Sequence, residues 1–195
     1  MRAFLKFITK IAFKLFFRVD IVNINQVPKE GPALLCANHN TILDMFFLGY
    51  KLDRWIYWMA KEELFKNPVM AYVLKKLGAF PVKRGTGDVS SIKTAFKLLK
   101  ENKIVGIFPH GTRIGQARLK TARVKPGAAM IAANSGVPVI PAAVCGNYGL
   151  FGKMKVIYGE PFLVKPRDKK LTKEELAEIS REIINRVRSL AEVGS

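Results

Sequence analysis

Gly136-Val137-Pro138-Val139-Ile140-Pro141 lies inside residues 126–152, a run without a charged side chain that is long enough on hydropathy to span a bilayer. A glycine and two prolines within six residues forbid one continuous helix there, because proline lacks the N–H of the helical ladder and clashes with the preceding turn. The run therefore divides into a helix near 127–135 and a buried strand near 138–144, and it does not cross a membrane. Outward from it, β-rich segments near 32–37, 55–59, 79–83 and 103–108 alternate with helical patterns near 42–50, 66–77 and 88–101. That alternation predicts an α/β domain with a largely parallel central sheet flanked by helices. Thr172 and Glu175 have the spacing of a capping box, and Leu176, Ile179, Ile183, Val187 and Leu190 continue as a helical stripe, so a closing helix docks on the core. With 195 residues and 49% hydrophobic side chains, the chain is sized for a single domain.

At the other end, Arg2, Lys6, Lys10, Lys14 and Arg18 recur every four residues, with Phe4, Leu5, Phe7, Ile8, Ile11, Phe13, Leu15, Phe16 and Phe17 between them. On a helix this spacing draws a basic stripe. Five charges make the segment a poor bilayer-spanning helix, and it has neither the uninterrupted apolar run nor the cleavage site of a signal peptide, so the N-terminus is expected to be retained. A basic amphipathic helix over residues 1–18 suits the headgroup region of a membrane, where each basic residue contributes on the order of 1 kcal/mol. The competing reading packs its aromatic face on the protein's own core. Residues 19–195 form the folded domain.

Thirty-three Lys and Arg against fifteen Asp and Glu leave a formal charge of +18, which points to anionic partners: nucleic acid or a phospholipid surface. A recognition helix, a zinc pattern and aromatic-interleaved basic strands are all absent from the sequence, so no nucleic acid is expected and the membrane is preferred. Cys36 and Cys145 each sit in an apolar run and read as small core residues of a reducing, intracellular compartment.

One of the two histidines stands in Asn38-His39-Asn40-Thr41-Ile42-Leu43-Asp44, on the loop after the apolar strand Ala33-Leu34-Leu35-Cys36. Asp44 lies in the apolar run Ile42-Leu43-Asp44-Met45-Phe46-Phe47, where an ionised carboxylate is costly unless something pairs with it, and His39 is the nearest partner. A carboxylate on one ring nitrogen fixes the tautomer and leaves the other nitrogen to take a proton from a hydroxyl. Thr41-x-x-Asp44 is also the spacing of a capping box, which would account for Asp44 without chemistry. A metal site from His39, His110 and Asp44 finds no recurring ligand spacing, and none is assigned.

Three further segments follow in order: Gly78-Ala79-Phe80-Pro81-Val82-Lys83-Arg84, Ile107-Phe108-Pro109-His110-Gly111-Thr112-Arg113, and Val137-Pro138-Val139-Ile140-Pro141. Together with Asn38 to Asp44 and the connecting Lys61-Glu62-Glu63-Leu64-Phe65, the sequence resembles the glycerolipid acyltransferase family over roughly residues 20–165, a family whose best-known members are 1-acyl-glycerol-3-phosphate acyltransferases. The resemblance implies His39 as general base oriented by Asp44, with Arg84, His110, Gly111, Thr112 and Arg113 binding substrate. Arg84 and Arg113 would grip the phosphate, since a guanidinium fork matches phosphate oxygens. Lys83, Lys120 and Lys125 are lesser candidates for the same task. Arg84 precedes Gly85-Thr86-Gly87-Asp88, where flexible backbone enters a helix N-terminus capped by Asp88, a place suited to phosphate.

The implied reaction moves an acyl group from acyl-carrier protein or acyl-coenzyme A, without any cofactor, to the free hydroxyl of 1-acyl-glycerol 3-phosphate. Backbone donors near Gly111 and Thr112 would meet the oxyanion. Trp55, Tyr57, Trp58, Met59, Phe65 and Tyr72 either line an acyl groove or pack in the core. The expected partners are an anionic phospholipid membrane, a lysophospholipid acceptor and the thioester carrier, with the protein peripheral on the cytoplasmic face of the cell membrane. Position 110 departs from the pattern, holding His where the family has Glu, and an imidazole does not reproduce a carboxylate acceptor. Altered acceptor recognition, added positive charge toward the phosphate at lower pH, and a non-catalytic lipid-binding relative are the three readings of that departure.

Overall fold

The computed structural model describes residues 2–83, 88–113, 124–164 and 171–194, with backbone only for residues 2, 3 and 5. Its order is α1 (Arg2–Phe16), β1 (Arg18–Val22), β2 (Ala33–Ala37), α2 (Asp44–Gly49), β3 (Ile56–Lys61), α3 (Pro68–Lys76), β4 (Phe80–Val82), α4 (Val89–Lys100), β5 (Ile104–Ile107), α5 (Gly127–Ser135), β6 (Val139–Gly146), β7 (Lys153–Tyr158) and α6 (Lys173–Val193). Seven strands form one sheet in the order β1-β7-β6-β2-β5-β3-β4, parallel throughout except where β6 and β7 run antiparallel. The predicted α/β class and largely parallel sheet are observed.

Two strands exceed the expectation, β1 and β7. Arg18-Val19-Asp20-Ile21-Val22 continues the basic stripe in sequence but pairs with β7 as an edge strand, alternating exposed and half-buried positions. Helix α1 accordingly stops at Phe16, and Arg18 belongs to the sheet. Charged residues at alternate positions of such an edge mask its strand period, and they also discourage pairing with another chain.

Central strands are buried on both faces, as β sheets covered by crossover helices require. Leu34, Cys36, Val105, Ile107 and Val139 pack with α4, α5 and α6, whereas Ala33, Leu35, Ala37, Ile140, Ala142 and Val144 point to the face covered by α1 and α2. Cys36 and Cys145 are free and buried. In residues 126–152, α5 ends at Gly136 in a left-handed conformation (φ 64°) and β6 follows, so the dissection at Gly136 and Pro138 holds. Among the described residues, no helix is long and apolar enough to cross a membrane. The box at Thr172 and Glu175 forms reciprocally, Glu175 N donating to Thr172 Oγ1 (3.2 Å) and Thr172 N to Glu175 Oε2 (2.9 Å).

Helix α1 packs one face on the core and leaves the other exposed. Phe13 is buried against Phe47 (ring centroids 4.3 Å apart), and Lys6 Nζ donates to the carbonyls of Leu52 (2.8 Å) and Asp53 (2.9 Å). Burial lowers the Lys6 pKa, opposed by nearby Asp53. Part of the basic stripe thus turns inward. Phe4, Phe7, Ile8, Ile11 and Leu15, at the i, i+3, i+4, i+7 spacing of one helical face, are exposed, with Lys10 and Lys14 also exposed beside them. The outward face of α1 is therefore apolar with a lysine flank, rather than a uniformly basic one.

Candidate active site

Ligands of parallel α/β sheets bind at the carboxyl edge, where strands release the chain into loops. Strands β2 and β5 pair in register with Cys36 opposite Ile107, so the loops carrying His39 and residues 108–113 leave the sheet side by side. The β6–β7 turn joins them, because β6 runs parallel to β2 with Ala142 opposite Ala37. Asn38 ties the first loop to β6: its Nδ2 donates to Val144 O (2.9 Å) and its Oδ1 accepts from Val144 N (2.8 Å).

His39 Nδ1 lies 3.0 Å from Asp44 Oδ2, at 9% and 0% exposure respectively. Asp44 Oδ2 also accepts from Asn40 N (2.6 Å) and Thr41 N (2.8 Å), and its Oδ1 accepts from the Tyr148 hydroxyl (2.6 Å). Only half of the capping-box alternative is realised: Thr41 N donates to Asp44 Oδ2, but Thr41 Oγ1 accepts from Leu43 N (3.1 Å) and α2 has no side-chain cap. Four donors satisfy this fully buried carboxylate, and with Nδ1–H as one of them Nε2 carries the free lone pair. Burial, the adjacent Asp44 charge and the hydrogen bond to it all push the Tyr148 pKa up, so the phenol stays a donor.

The imidazole is clamped in its plane. Its ring stacks on Phe108 at 3.9 Å and 10°, and Phe108 stacks in turn on Trp58 at 4.6 Å and 8°. Phe108 offers the face of a π system to an imidazolium formed in the reaction. The stack reaches across β5 because Gly106, register partner of Trp58, has no side chain; a Cβ there would lie 2.5 Å from Trp58 Cε3 and 2.7 Å from Ile56 Cγ2. Gly106→Ala should therefore displace the Trp58 ring, cost about 1–3 kcal/mol of stability and slow turnover by loosening His39. A melting temperature and kcat equal to wild type would refute this support for the ring.

The remaining segments are placed less uniformly. His110 is buried, whereas Thr112 and Arg113 are exposed beyond the turn at Gly111 (φ 68°). Gly111 N donates to Phe108 O (2.8 Å), which closes that turn and commits one of the two amides suggested for the oxyanion. Lys125 lies over Gly111, its Nζ 3.2 Å from where a Cβ would stand, so it joins the loop of Arg113. Arg84 and Lys120 lie outside the described residues. Asp88 caps α4 as expected, accepting from Ser90 N (3.0 Å) and Ser91 N (3.3 Å) through Oδ1 and from Lys83 N (2.8 Å) through Oδ2. Those bonds hold its carboxyl below the usual range, the Lys83 amide contributing most. Its carboxylate thus occupies donors at the start of α4 that the sequence offered to a phosphate. Lys83 Nζ sits 3.7 Å from Glu62 Oε1, joining the second segment to the connecting region.

Five of the six candidate groove residues do not converge. Trp58 faces the α1–α2 side, Tyr57 and Met59 pack on the opposite side, Trp55 Nε1 donates to Leu77 O (2.6 Å), and Tyr72 is exposed on α3. Two contributors have little signal in the sequence: Tyr148, a lone phenol at the end of a charge-free run, and Phe108, which stands in its motif without an evident role. Among the described residues, no group of three His, Cys, Asp or Glu side chains is placed to hold a metal.

A family model described as Acyltransferase matches residues 18–145, spanning the dyad, the stack and all but the last residue of β6. The chain belongs to this acyltransferase family. It is 38% identical over 187 residues to the 1-acyl-sn-glycerol-3-phosphate acyltransferase of Bacillus subtilis, covering 93% of this chain and 92% of that one. It is 32% identical to the chloroplastic 1-acyl-sn-glycerol-3-phosphate acyltransferase of Brassica napus over 75% of this chain and 44% of the longer relative. The crystal structure of the 1-acyl-sn-glycerophosphate acyltransferase PlsC from Thermotoga maritima superposes with a TM-score of 0.70 at 27% identity, covering 96% of this acyltransferase and 78% of PlsC.

Proposed function

We propose that this acyltransferase transfers a fatty acyl group from the thioester of acyl-carrier protein or acyl-coenzyme A to the free hydroxyl of 1-acyl-glycerol 3-phosphate, making phosphatidic acid for phospholipid biosynthesis. The His39–Asp44 pair, with its ring clamped on Phe108, is the observation that carries the reading. His39 Nε2 takes the acceptor's hydroxyl proton as the oxygen bonds to the thioester carbonyl carbon. Collapse of the tetrahedral adduct breaks the C–S bond, and the departing thiolate receives the proton from His39, leaving ester and free thiol. Since Gly111 N is committed to Phe108 O, the Thr112 amide is the better candidate for the oxyanion. Arg113, with Lys125 nearby and Arg84 from the second segment, binds the acceptor phosphate. Neither cysteine is used: burial pushes Cys36 up to about 12 and Cys145 up to about 11, the opposite of an activated nucleophile.

The outward apolar face of α1 with Lys10 and Lys14 lies in the interface of an anionic membrane, where the lysolipid resides. The buried His110 favours a second reading of the acceptor, glycerol 3-phosphate or another lysolipid, because the family's carboxylate is missing there. A thiol-release assay in detergent or liposomes separates these, offering both donors against lysophosphatidate, glycerol 3-phosphate and other lysolipids. Release that depends on lysophosphatidate, with Arg113→Ala raising KM for that acceptor more than it lowers kcat, is expected. Release with another acceptor alone transfers the function to that acceptor.

A further inference from the structure

Residues 147–152 join β6 to β7 and present two large apolar side chains to solvent, Leu150 at 69% and Phe151 at 62% exposure. Phe151 holds φ at 60°, a left-handed conformation that a bulky residue adopts only at a cost and that glycine takes freely. An exposed phenylalanine in such a position gains little from burial within the chain. Its amide donates to Phe16 O (2.8 Å), which sets the turn against the end of α1, where Leu15 and Phe16 are also exposed. The exposed end of α1 and the tip of the turn are thus adjacent. Arg18 and Lys153, register partners at the starts of β1 and β7, stand exposed at their border. Tyr148 of the same turn bonds Asp44, so the turn adjoins the dyad.

We infer that the β6–β7 turn is a second lipid-inserting contact, in which Leu150 and Phe151 enter the interface of an anionic bilayer beside α1 with Arg18 and Lys153 at headgroup level. The inference rests on the membrane-surface reading of α1 and extends it to a point three residues from a group that holds Asp44. A bilayer fits better than a protein partner, because the border is basic, the turn adjoins the end of an amphipathic helix, and the acceptor class is itself a lipid.

The test places an environment-sensitive fluorophore on the thiol of Leu150→Cys and, separately, of Ile8→Cys in the full chain. Labelling is selective because the native thiols are buried. Each protein is titrated with phosphatidylglycerol-containing vesicles, with neutral vesicles, and with vesicles carrying nitroxide lipid. Both labels should shift to the blue and be quenched on anionic vesicles. Phe151→Gly, which removes the side chain while relieving the backbone, should raise the lipid needed for half-binding about tenfold. Quenching at position 8 but not at 150 overturns the second contact and leaves the α1 reading standing; quenching at neither removes both. A shift at 150 that grows with protein concentration without vesicles assigns the patch to a second copy, and also overturns the inference.

Discussion

His39→Ala lowers turnover by about 10²- to 10⁴-fold, the span of a lost general base, while the protein keeps its fold. The side chain sits at the carboxyl edge of β2, and its loss leaves a gap against the face of Phe108 rather than within the packed layers. The loop itself remains tied by Asn38 to Val144 and by the Asn40 and Thr41 amides to Asp44. KM for the acceptor should change little, since the phosphate grips lie in other segments. Thiol release with saturating donor and acceptor, measured beside the melting curve, decides the matter: wild-type turnover from folded protein would remove His39 from the chemistry.

Asp44→Asn is the second large effect, on the order of 10³- to 10⁴-fold in kcat, because a neutral amide no longer sustains the positive charge that His39 takes on in the reaction. The geometry is otherwise accommodated. An amide oxygen in place of Oδ2 still accepts from Asn40 and Thr41, and the Tyr148 hydroxyl can turn to accept from the amide nitrogen. Loss of turnover with a small shift in melting temperature is the expected signature. A mutant that is slow only because it unfolds would show both falling together, and full activity would return Asp44 to the role of a helix-start residue.

The dyad is legible in the amino-acid sequence because its spacing is local: five residues across a strand-to-helix loop bring two side chains together, and burying a carboxylate demands a partner. Tyr148 is not legible there, since 104 residues separate it from Asp44 and only the pairing of β6 beside β2 brings it near. Gly106 is equally opaque; a glycine in a strand states no reason for itself until the ring on the neighbouring strand is seen to lie across it. Strand β1 is hidden by the basic spacing that runs through Arg18, which serves a helix in sequence and a sheet edge in space.

By itself, the order of apolar runs, prolines, glycines and caps determined the α/β class, the strand that ends at the His39 loop, the break at Gly136 and the closing helix at Thr172. These are short-range properties, governed by backbone geometry and by side-chain period. Tertiary structure decided which donor reaches the second oxygen of Asp44, that His39 rests on a two-ring stack, that the start of α4 is occupied by its own Asp88, and that the outward face of α1 is apolar with a lysine flank. Each depends on segments distant in sequence being brought together by strands about 4.7–4.9 Å apart in the sheet, or by the closing of a loop onto them, a proximity that no local pattern encodes.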